Sequence, residues 1–127
     1  MSWQAYVDSN LVGSGKVTKA AIFGLDGSLW ATSPDFKVGG AEVQKLVAAF
    51  DDVSDIAANG LHLEGTKFVF LRKGTDTSIY ARSGATGVAC AKTKLAVIVG
   101  YYNETIQGGD CNTVVEGLAD YLINANY

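Results

Sequence analysis

Residues 61–101 read LHLEGTKFVFLRKGTDTSIYARSGATGVACAKTKLAVIVGY, and they indicate the architecture of the whole chain. Short runs of apolar and β-branched residues alternate here with close turns such as Glu64-Gly65, and the runs lie at 61–63, 67–72, 78–82, 87–91 and 95–101. Such alternation is typical of consecutive antiparallel strands joined by tight turns. The stretch therefore predicts an antiparallel meander.

Helical patterns stand near both ends of the chain. Trp3, Val7 and Leu11 recur at i, i+4 and i+8, and Ser2 before them is a residue type that caps helices. We expect a first helix over 2–11 and a last helix over 110–124, the latter capped by Asp110. The apolar side of the last helix is formed by Val114, Val115, Leu118 and Leu122.

The remaining elements lie between the first helix and the meander. Two apolar runs, 17–23 and 28–32, flank Asp26-Gly27, which is a strong signal for a hairpin turn. Residues 40–50 carry apolar residues at helical spacing, and residues 51–56 fit either a short helix or a turn.

Together these patterns predict an α+β fold in a single domain over 1–127. We expect a central antiparallel sheet whose one face is covered by the N- and C-terminal helices. The shorter helices from the middle of the chain are expected on the other face.

The composition excludes several classes of protein. Of the 127 residues, 48% are hydrophobic and 18% are charged, which fits a folded domain with an ordinary core. Two cysteines, Cys90 and Cys111, are too few for a disulfide framework, so we expect reduced thiols in the cytosol. Neither the cysteines nor His62 stands at the spacing of a zinc site. We expect no metal, no cofactor and no nucleic-acid partner.

Enzymatic activity is not expected. His62 is the only histidine, so any triad with a serine or cysteine nucleophile would have to use it. It alternates with two leucines in a short strand, which is the pattern of a surface or structural residue. No pair of carboxylates stands out for acid–base chemistry.

Charge is distributed unevenly along the chain, whose net charge is −3. Residues 67–94 contain six basic residues against one acid, Asp76, whereas the rest of the chain has four lysines against 12 acids. One interpretation is a positive surface that attracts an anionic partner. The other is that these are solvated lysines and arginines that protect strand edges from aggregation.

Aromatic residues are concentrated near the two ends of the chain. Trp3 and Tyr6 fall on neighbouring helical positions, Trp30 follows the predicted hairpin turn, and Tyr121 and Tyr127 end the sequence. If the first and last helices are adjacent, these rings form a shallow groove suited to a proline-rich segment. Such a segment is already extended, and its carbonyls accept hydrogen bonds from indole and phenol groups. The alternative is that the rings fill the core.

Several motifs, spread over the whole chain in order, resemble those of profilins, which are small actin-monomer-binding proteins. They are Ser2-Trp3-Gln4-Ala5-Tyr6-Val7-Asp8, Asp26-Gly27-Ser28-Leu29-Trp30-Ala31, residues 59–68 (NGLHLEGTKF), Gln107-Gly108-Gly109 and Leu118-Ala119-Asp120-Tyr121-Leu122. The compact length is similar to that of fungal or amoebal members.

The resemblance implies two binding surfaces. Poly-proline would bind between the terminal helices, at the positions Trp3, Tyr6, Trp30, Tyr121 and Tyr127. Monomeric actin would bind a different surface, at the positions Lys67, Val69, Leu71, Arg72, Arg82, Gly109, Asn112 and Glu116. The basic members of that second set, Lys67, Arg72 and Arg82, would also bind phosphoinositides at a membrane surface.

The function that this resemblance implies is that of a cytoplasmic adaptor of the cytoskeleton. It would hold an actin monomer and a proline-rich protein such as a formin, promote nucleotide exchange on actin and deliver monomers to filament ends. Gln107 stands where many animal profilins have histidine, and residues 95–127 carry four acids and no lysine or arginine, which weakens the phosphoinositide site. The alternative is a sheet-plus-helices ligand sensor or scaffold without actin activity.

Overall fold

The computed structural model describes residues 2–127, and its seven strands form one antiparallel sheet. The strands run β1 Lys19–Gly24, β2 Leu29–Thr32, β3 Leu61–Leu63, β4 Thr66–Lys73, β5 Ser78–Ser83, β6 Thr86–Lys92 and β7 Ala96–Tyr102. Their order across the sheet is β2-β1-β7-β6-β5-β4-β3. The predicted meander from β3 to β7 is therefore confirmed, and so is the hairpin of β1 and β2.

The pairing of β1 with β7, the second and third strands across the sheet, brings the two ends of the chain together. Ala20 lies opposite Gly100 and Ile22 opposite Ile98. Both strands are almost wholly buried, because helices cover the sheet on each side. Gly100 is needed for this packing, since a Cβ there would lie 2.6 Å from Cγ2 of Val115.

The helices divide between the two faces of the sheet as the sequence predicts. The N-terminal helical segment comprises α1 Trp3–Ala5, a π-helical turn Tyr6–Leu11 and a 3₁₀ turn Val12–Ser14. It packs with α4 Gly108–Asn124 on one face, where Val7, Leu11, Val115 and Leu122 are fully buried. On the other face, α2 Gly40–Ala49 and α3 Ser54–Asn59 cover a second cluster that includes Leu46 and Ile56. No helix among residues 2–127 combines the length and the apolarity needed to span a membrane.

The N-terminal helical segment is wider than the ordinary helix that its apolar spacing predicts. Val12 N–H donates to the carbonyls of both Asp8 and Val7, so the turn contains an extra residue. Gly13 permits this because a Cβ there would lie only 2.8 Å from the Asp8 carbonyl oxygen. The predicted cap is correct, since Ser2 Oγ accepts a hydrogen bond from Ala5 N–H at 3.1 Å.

Two predicted boundaries differ from the structure. The prediction that Asp110 caps the last helix is wrong, because α4 begins at Gly108 and Gln107 precedes it without a side-chain cap. Asp110 lies instead in the first turn, where a carboxylate interacts favourably with the helix dipole. The ambiguous stretch 51–56 is divided, with a turn first and α3 starting at Ser54.

Both cysteines are reduced and belong to the packed core. Cys90 and Cys111 have no exposed surface, and Cys111 Sγ lies 3.8 Å from the Gly100 carbonyl oxygen. Burial raises the pKa of both thiols, that of Cys111 to about 12. The folded protein therefore holds these thiols protonated and out of reach of solvent.

We predict that neither thiol reacts with a water-soluble disulfide reagent at pH 8 until the protein is unfolded, when both react. The free energy of unfolding should also fall as the pH rises above about 9, because thiols of the unfolded chain ionise there and those of the folded chain do not. Thiol titration and denaturant unfolding measure the two effects, and Cys111→Ala should reduce the pH dependence. Rapid reaction of either thiol in the folded protein would contradict the prediction.

Candidate functional site

The five aromatic residues singled out in the sequence lie in one cluster at the surface. The ring centroid of Trp3 is 4.7 Å from that of Trp30, 5.3 Å from that of Tyr127 and 5.7 Å from that of Tyr6. Tyr6 continues the series, with its centroid 6.2 Å from that of Tyr121. We call these five residues the aromatic cluster.

The aromatic cluster is both a core boundary and an open surface. Trp3, Tyr6 and Trp30 are half-buried and pack with their inner sides against the core beneath α4. Tyr121 and Tyr127 are 57% and 45% exposed. The two interpretations that the sequence leaves open are therefore both partly correct, because the same rings fill the core edge and present a face to solvent.

Gln4 links the two segments that carry the tryptophans of the cluster. The Gln4 side chain Nε2 donates to the Thr32 carbonyl at 2.9 Å and lies 3.1 Å from Asp8 Oδ1. This ties the N-terminal helical segment to β2, the strand that carries Trp30. Gln4 was not among the predicted site residues, since a polar residue between two aromatic ones gives no signal of this contact.

Polar groups at the cluster are arranged to donate hydrogen bonds. Among the hydrogen bonds of residues 2–127, none uses the indole N–H of Trp3 or of Trp30. The pKa of Tyr6 is raised, first by partial burial and then by the neighbouring hydroxyl of Tyr121, so the Tyr6 phenol is protonated at neutral pH. A ligand lying on these rings therefore meets donors and an apolar surface together.

Tyr127 is held in the cluster through its main chain. Its carbonyl oxygen accepts from Leu95 N–H at 2.7 Å and from Thr93 Oγ1 at 2.8 Å, and its N–H donates to Leu122 at 2.8 Å. Thr93 is 5% exposed, and its hydroxyl oxygen also accepts from Ala96 N–H at 3.0 Å. The turn between β6 and β7 thus sets the position of the Tyr127 ring against Trp3.

A second surface lies at the start of α4, over β4 and β5. Five of the residues assigned by resemblance to actin binding line one shallow hollow there, namely Leu71, Arg72, Arg82, Gly109 and Asn112. Exposed apolar groups stand at the same edge, because Val69 and Leu71 are 59% and 52% exposed. We call this the α4-start hollow.

A linked set of side chains holds the α4-start hollow in shape. The Tyr80 hydroxyl donates to Glu116 Oε1 at 2.7 Å, and the Arg72 guanidinium lies 4.9 Å from the centre of the Tyr80 ring. Burial, followed by the bond to Glu116, raises the pKa of Tyr80. Burial also raises the pKa of Tyr102 at the base of the hollow, which the charge of Arg82 partly offsets.

The other predicted members of this surface lie at its margin. Val69 is opposite Arg82 in the pairing of β4 with β5, and Glu116 reaches the hollow only through Tyr80. Lys67 lies farther along β4, where the strand pairs with His62 of β3, and it does not line the hollow.

The six basic residues of 67–94 are distributed over more than one part of the surface. Arg72 and Arg82 line the α4-start hollow, whereas Lys73 Nζ donates to the Phe50 carbonyl at 3.1 Å. Lys94 Nζ lies 3.2 Å from Asn126 Oδ1. The reason is the alternation of side chains along β4 and the turns that follow, which direct neighbouring charges to different faces.

The two surfaces are well separated on one rigid framework. Trp30 lies on β2 and Val69 on β4, which are five strand spacings apart, or about 24 Å along the sheet. Within α4, Gly109 and Tyr121 are twelve residues apart, or about 18 Å. The aromatic cluster and the α4-start hollow are therefore two separate surfaces.

Outside the two surfaces, among residues 2–127, the histidine, cysteine and acidic side chains do not cluster. His62 is exposed on β3, opposite Lys67. In the part of the chain that the structure describes, residues 2–127, no three histidine, cysteine or acidic side chains come together as metal ligands.

The chain matches known proteins over its whole length. The family model described as Profilin matches residues 1–127. Profilin-1A of Acanthamoeba castellanii is 52% identical, over the full length of both chains. The crystal structure of profilin II from the same amoeba superposes with a TM-score of 0.95 at 50% identity, covering 99% of this chain and 100% of that one.

A more distant structure contains a ligand. Mouse profilin IIa, in complex with a double repeat from the FH1 domain of mDia1, has a TM-score of 0.84 and 25% identity, with full coverage of both chains.

The chain has its terminal helices on one face of the sheet and an aromatic cluster between them, and its sequence is about 50% identical to profilins over the full length. Together these features define the class of the protein as actin-binding and non-enzymatic. The chain belongs to the profilin family. The expected likeness to the small amoebal members is confirmed.

We predict that Thr93→Val loosens Tyr127 from the cluster. The change keeps the shape of the side chain but removes the hydroxyl, which leaves Ala96 N–H without its acceptor and Tyr127 with one donor fewer. Unfolding free energy should fall by about 1–3 kcal/mol. Tryptophan fluorescence of the folded protein should shift, because Tyr127 no longer packs edge-on against Trp3.

Thr93→Ser is the matched control, since it retains the hydroxyl and should keep the wild-type spectrum. A wild-type spectrum for Thr93→Val would show that Tyr127 does not need this anchor.

Proposed function

We propose that this protein joins an actin monomer to proline-rich proteins such as formins. The aromatic cluster binds the proline-rich segment, and the α4-start hollow with its margin binds actin. The observation that carries the proposal is the separation of the two surfaces on one sheet, about 24 Å along it, which lets both ligands bind together. Profilin family membership and the FH1 complex of the mouse relative support it.

The aromatic cluster suits proline-rich ligands for a physical reason. A proline-rich segment is extended before it binds, so little conformational entropy is lost. Its rings pack on Trp3 and Trp30, and its carbonyls accept hydrogen bonds from the free indole N–H groups and the phenols. Apolar stacking dominates, so binding should depend little on salt.

The actin surface combines exposed apolar residues with two arginines. Val69 and Leu71 supply apolar area at a sheet edge, and Arg72 and Arg82 supply charge beside it. An interface with a small apolar centre and a charged rim is typical of specific protein contacts. Lys67, Gly109, Asn112 and Glu116 complete the proposed actin set.

The proposed effects on actin follow from a difference in affinity for two conformations of the actin monomer. If the protein binds the more open conformation of actin better, it speeds nucleotide exchange without any covalent chemistry. Holding the monomer and a filament-bound proline-rich protein at once then delivers actin to the filament end in the cytoplasm. Phosphoinositide head groups are proposed to bind the same arginines with Lys67, and therefore to compete with actin.

We predict a crossed pattern for two exposed apolar side chains. Tyr121→Ala should weaken binding of a proline decamer about tenfold, or about 1.4 kcal/mol, and leave actin binding unchanged. Leu71→Ala, which removes a similarly exposed side chain at the other surface, should weaken actin binding and leave the decamer unaffected. Tryptophan fluorescence measures peptide binding, and co-sedimentation competition measures monomer binding.

The crossed pattern distinguishes two surfaces from general damage to the fold. Loss of both activities in either variant, with an unchanged melting temperature, would contradict the two-surface proposal.

We predict that salt and charge substitutions affect binding at the α4-start hollow but not at the aromatic cluster. Raising NaCl from 50 to 300 mM should weaken actin binding several-fold and leave decamer binding within twofold, because apolar stacking is not screened. Arg82→Glu should reduce actin binding and adsorption to phosphoinositide vesicles. Lys37→Glu, the same charge change at an exposed position outside the hollow, is the control.

Equal losses for Arg82→Glu and Lys37→Glu would mean that net charge, and not this hollow, governs the contact.

A further inference from the structure

A cavity of about 260 Å³ lies between α2, α3 and the start of β3, on the face of the sheet opposite the aromatic cluster. Ala41, Ile56 and Leu61 make its lining mostly apolar, and Ile56 and Leu61 also belong to the core beneath it. None of the residues proposed to bind proline-rich ligands or actin lines it. We call it the α2–α3 cavity.

The walls of the α2–α3 cavity are fixed by local contacts. Glu42, one of its lining residues, accepts hydrogen bonds from three main-chain N–H groups at 2.9 to 3.0 Å, two of which belong to the turn Glu64-Gly65. These bonds tie the start of α2 to the turn between β3 and β4. Gly60, another lining residue, has a φ of +84° and packs so closely on Lys67 that a Cβ would lie 2.8 Å from Lys67 Cε. A cavity fixed in this way loses little entropy when a ligand binds.

Two opposite charges line the α2–α3 cavity without pairing. Lys45 belongs to α2 and Asp55 to α3, and the ion pairs within 4 Å among residues 2–127 include neither of them. Asp55 Oδ1 accepts from Asn59 Nδ2 at 2.9 Å, whereas Asp55 Oδ2 and the Lys45 ammonium make no hydrogen bond within these residues. Because three N–H donors engage the Glu42 carboxylate, Asp55 is the acid that a ligand meets. The cavity therefore offers one cation and one anion to a ligand between them.

This arrangement is complementary to a small molecule that carries both charges. A ligand ammonium would donate to Asp55 Oδ2, and a ligand carboxylate would accept from Lys45 Nζ, both as charge-assisted hydrogen bonds. His62 also lines the cavity and is exposed, so its ring can supply a further N–H to the carboxylate. The apolar lining remains for an apolar side chain of the ligand. At about 260 Å³, the cavity is smaller than a site for a drug-sized molecule, which favours a ligand of amino-acid size.

We propose that the α2–α3 cavity binds a free amino acid with an apolar side chain. Its ammonium lies against Asp55, its carboxylate against Lys45, and its side chain against Ala41, Ile56 and Leu61. The site is independent of the two surfaces proposed for proline-rich ligands and actin, and its ligand is of a different chemical class.

The test titrates the full chain with three related probes. They are L-leucine, L-leucinamide, which lacks the carboxylate, and N-acetyl-L-leucine, which lacks the ammonium. Amide chemical shifts in ¹H–¹⁵N spectra locate the binding, with titration to about 20 mM because so small a ligand binds weakly. Leucine should shift the amides of residues 41–45 and 55–62 and bind about tenfold more tightly than either derivative.

Two substitutions assign the two charges. Lys45→Gln should weaken leucine about tenfold and abolish its advantage over leucinamide, while N-acetyl-leucine also binds less well. Asp55→Asn should abolish the advantage of leucine over N-acetyl-leucine, and its amide oxygen can still accept from Asn59. Both variants should bind the proline decamer as the wild type does, which verifies that they are folded.

Lys37→Gln and Asp51→Asn are the matched controls, because they make the same charge changes at exposed positions outside the cavity. Both should bind leucine as the wild type does. Losses equal to those of Lys45→Gln and Asp55→Asn would mean that net charge governs binding, and would overturn the proposal.

Three results with the wild type would also overturn it. They are no shift of residues 41–62 at the highest leucine concentration, equal affinity for all three probes, and shifts confined to the aromatic cluster. None of them bears on the proposed function, which fails only if the decamer or actin does not bind.

Discussion

The pairing of β1 with β7 is the contact on which the rest of the structure depends. It places residues 19–24 against residues 96–102, and both strands are buried on each face. Through it, the N-terminal helical segment and β2 come beside α4, which follows β7 in the chain. Without this long-range pairing, Trp3 and Trp30 would have no means of meeting Tyr121 and Tyr127.

The rings of the aromatic cluster are held in place by contacts on several sides. Its rings are held from beneath by the core, from one side by the Gln4 contact with Thr32 and from the other by the anchor of Tyr127 on Thr93 and Leu95. Preorganisation of this kind lowers the entropy lost on binding. Exposed tyrosines near the end of a chain would otherwise sample many conformations and bind weakly.

The α4-start hollow is organised by different forces. Its arginines are arranged by a ring contact and by the bond between Tyr80 and Glu116, and its apolar residues stand exposed on β4. Apolar stacking thus governs one end of α4 and mixed polar contacts govern the other. One helix therefore contributes to two surfaces of unlike chemistry.

Much of this protein was predictable from local pattern, since alternation and helical spacing specify strands, helices and their buried sides. The meander, the Ser2 cap and the five aromatic residues followed from the sequence, and their motifs identified the family. Three features did not follow from the sequence: the wide turn at Tyr6–Leu11, the position of Lys67 outside the hollow and the anchoring of Tyr127 by Thr93. The position of Lys67 depends on where β4 pairs in the sheet, and the Thr93 anchor joins atoms that are distant in the chain; only long-range packing specifies both.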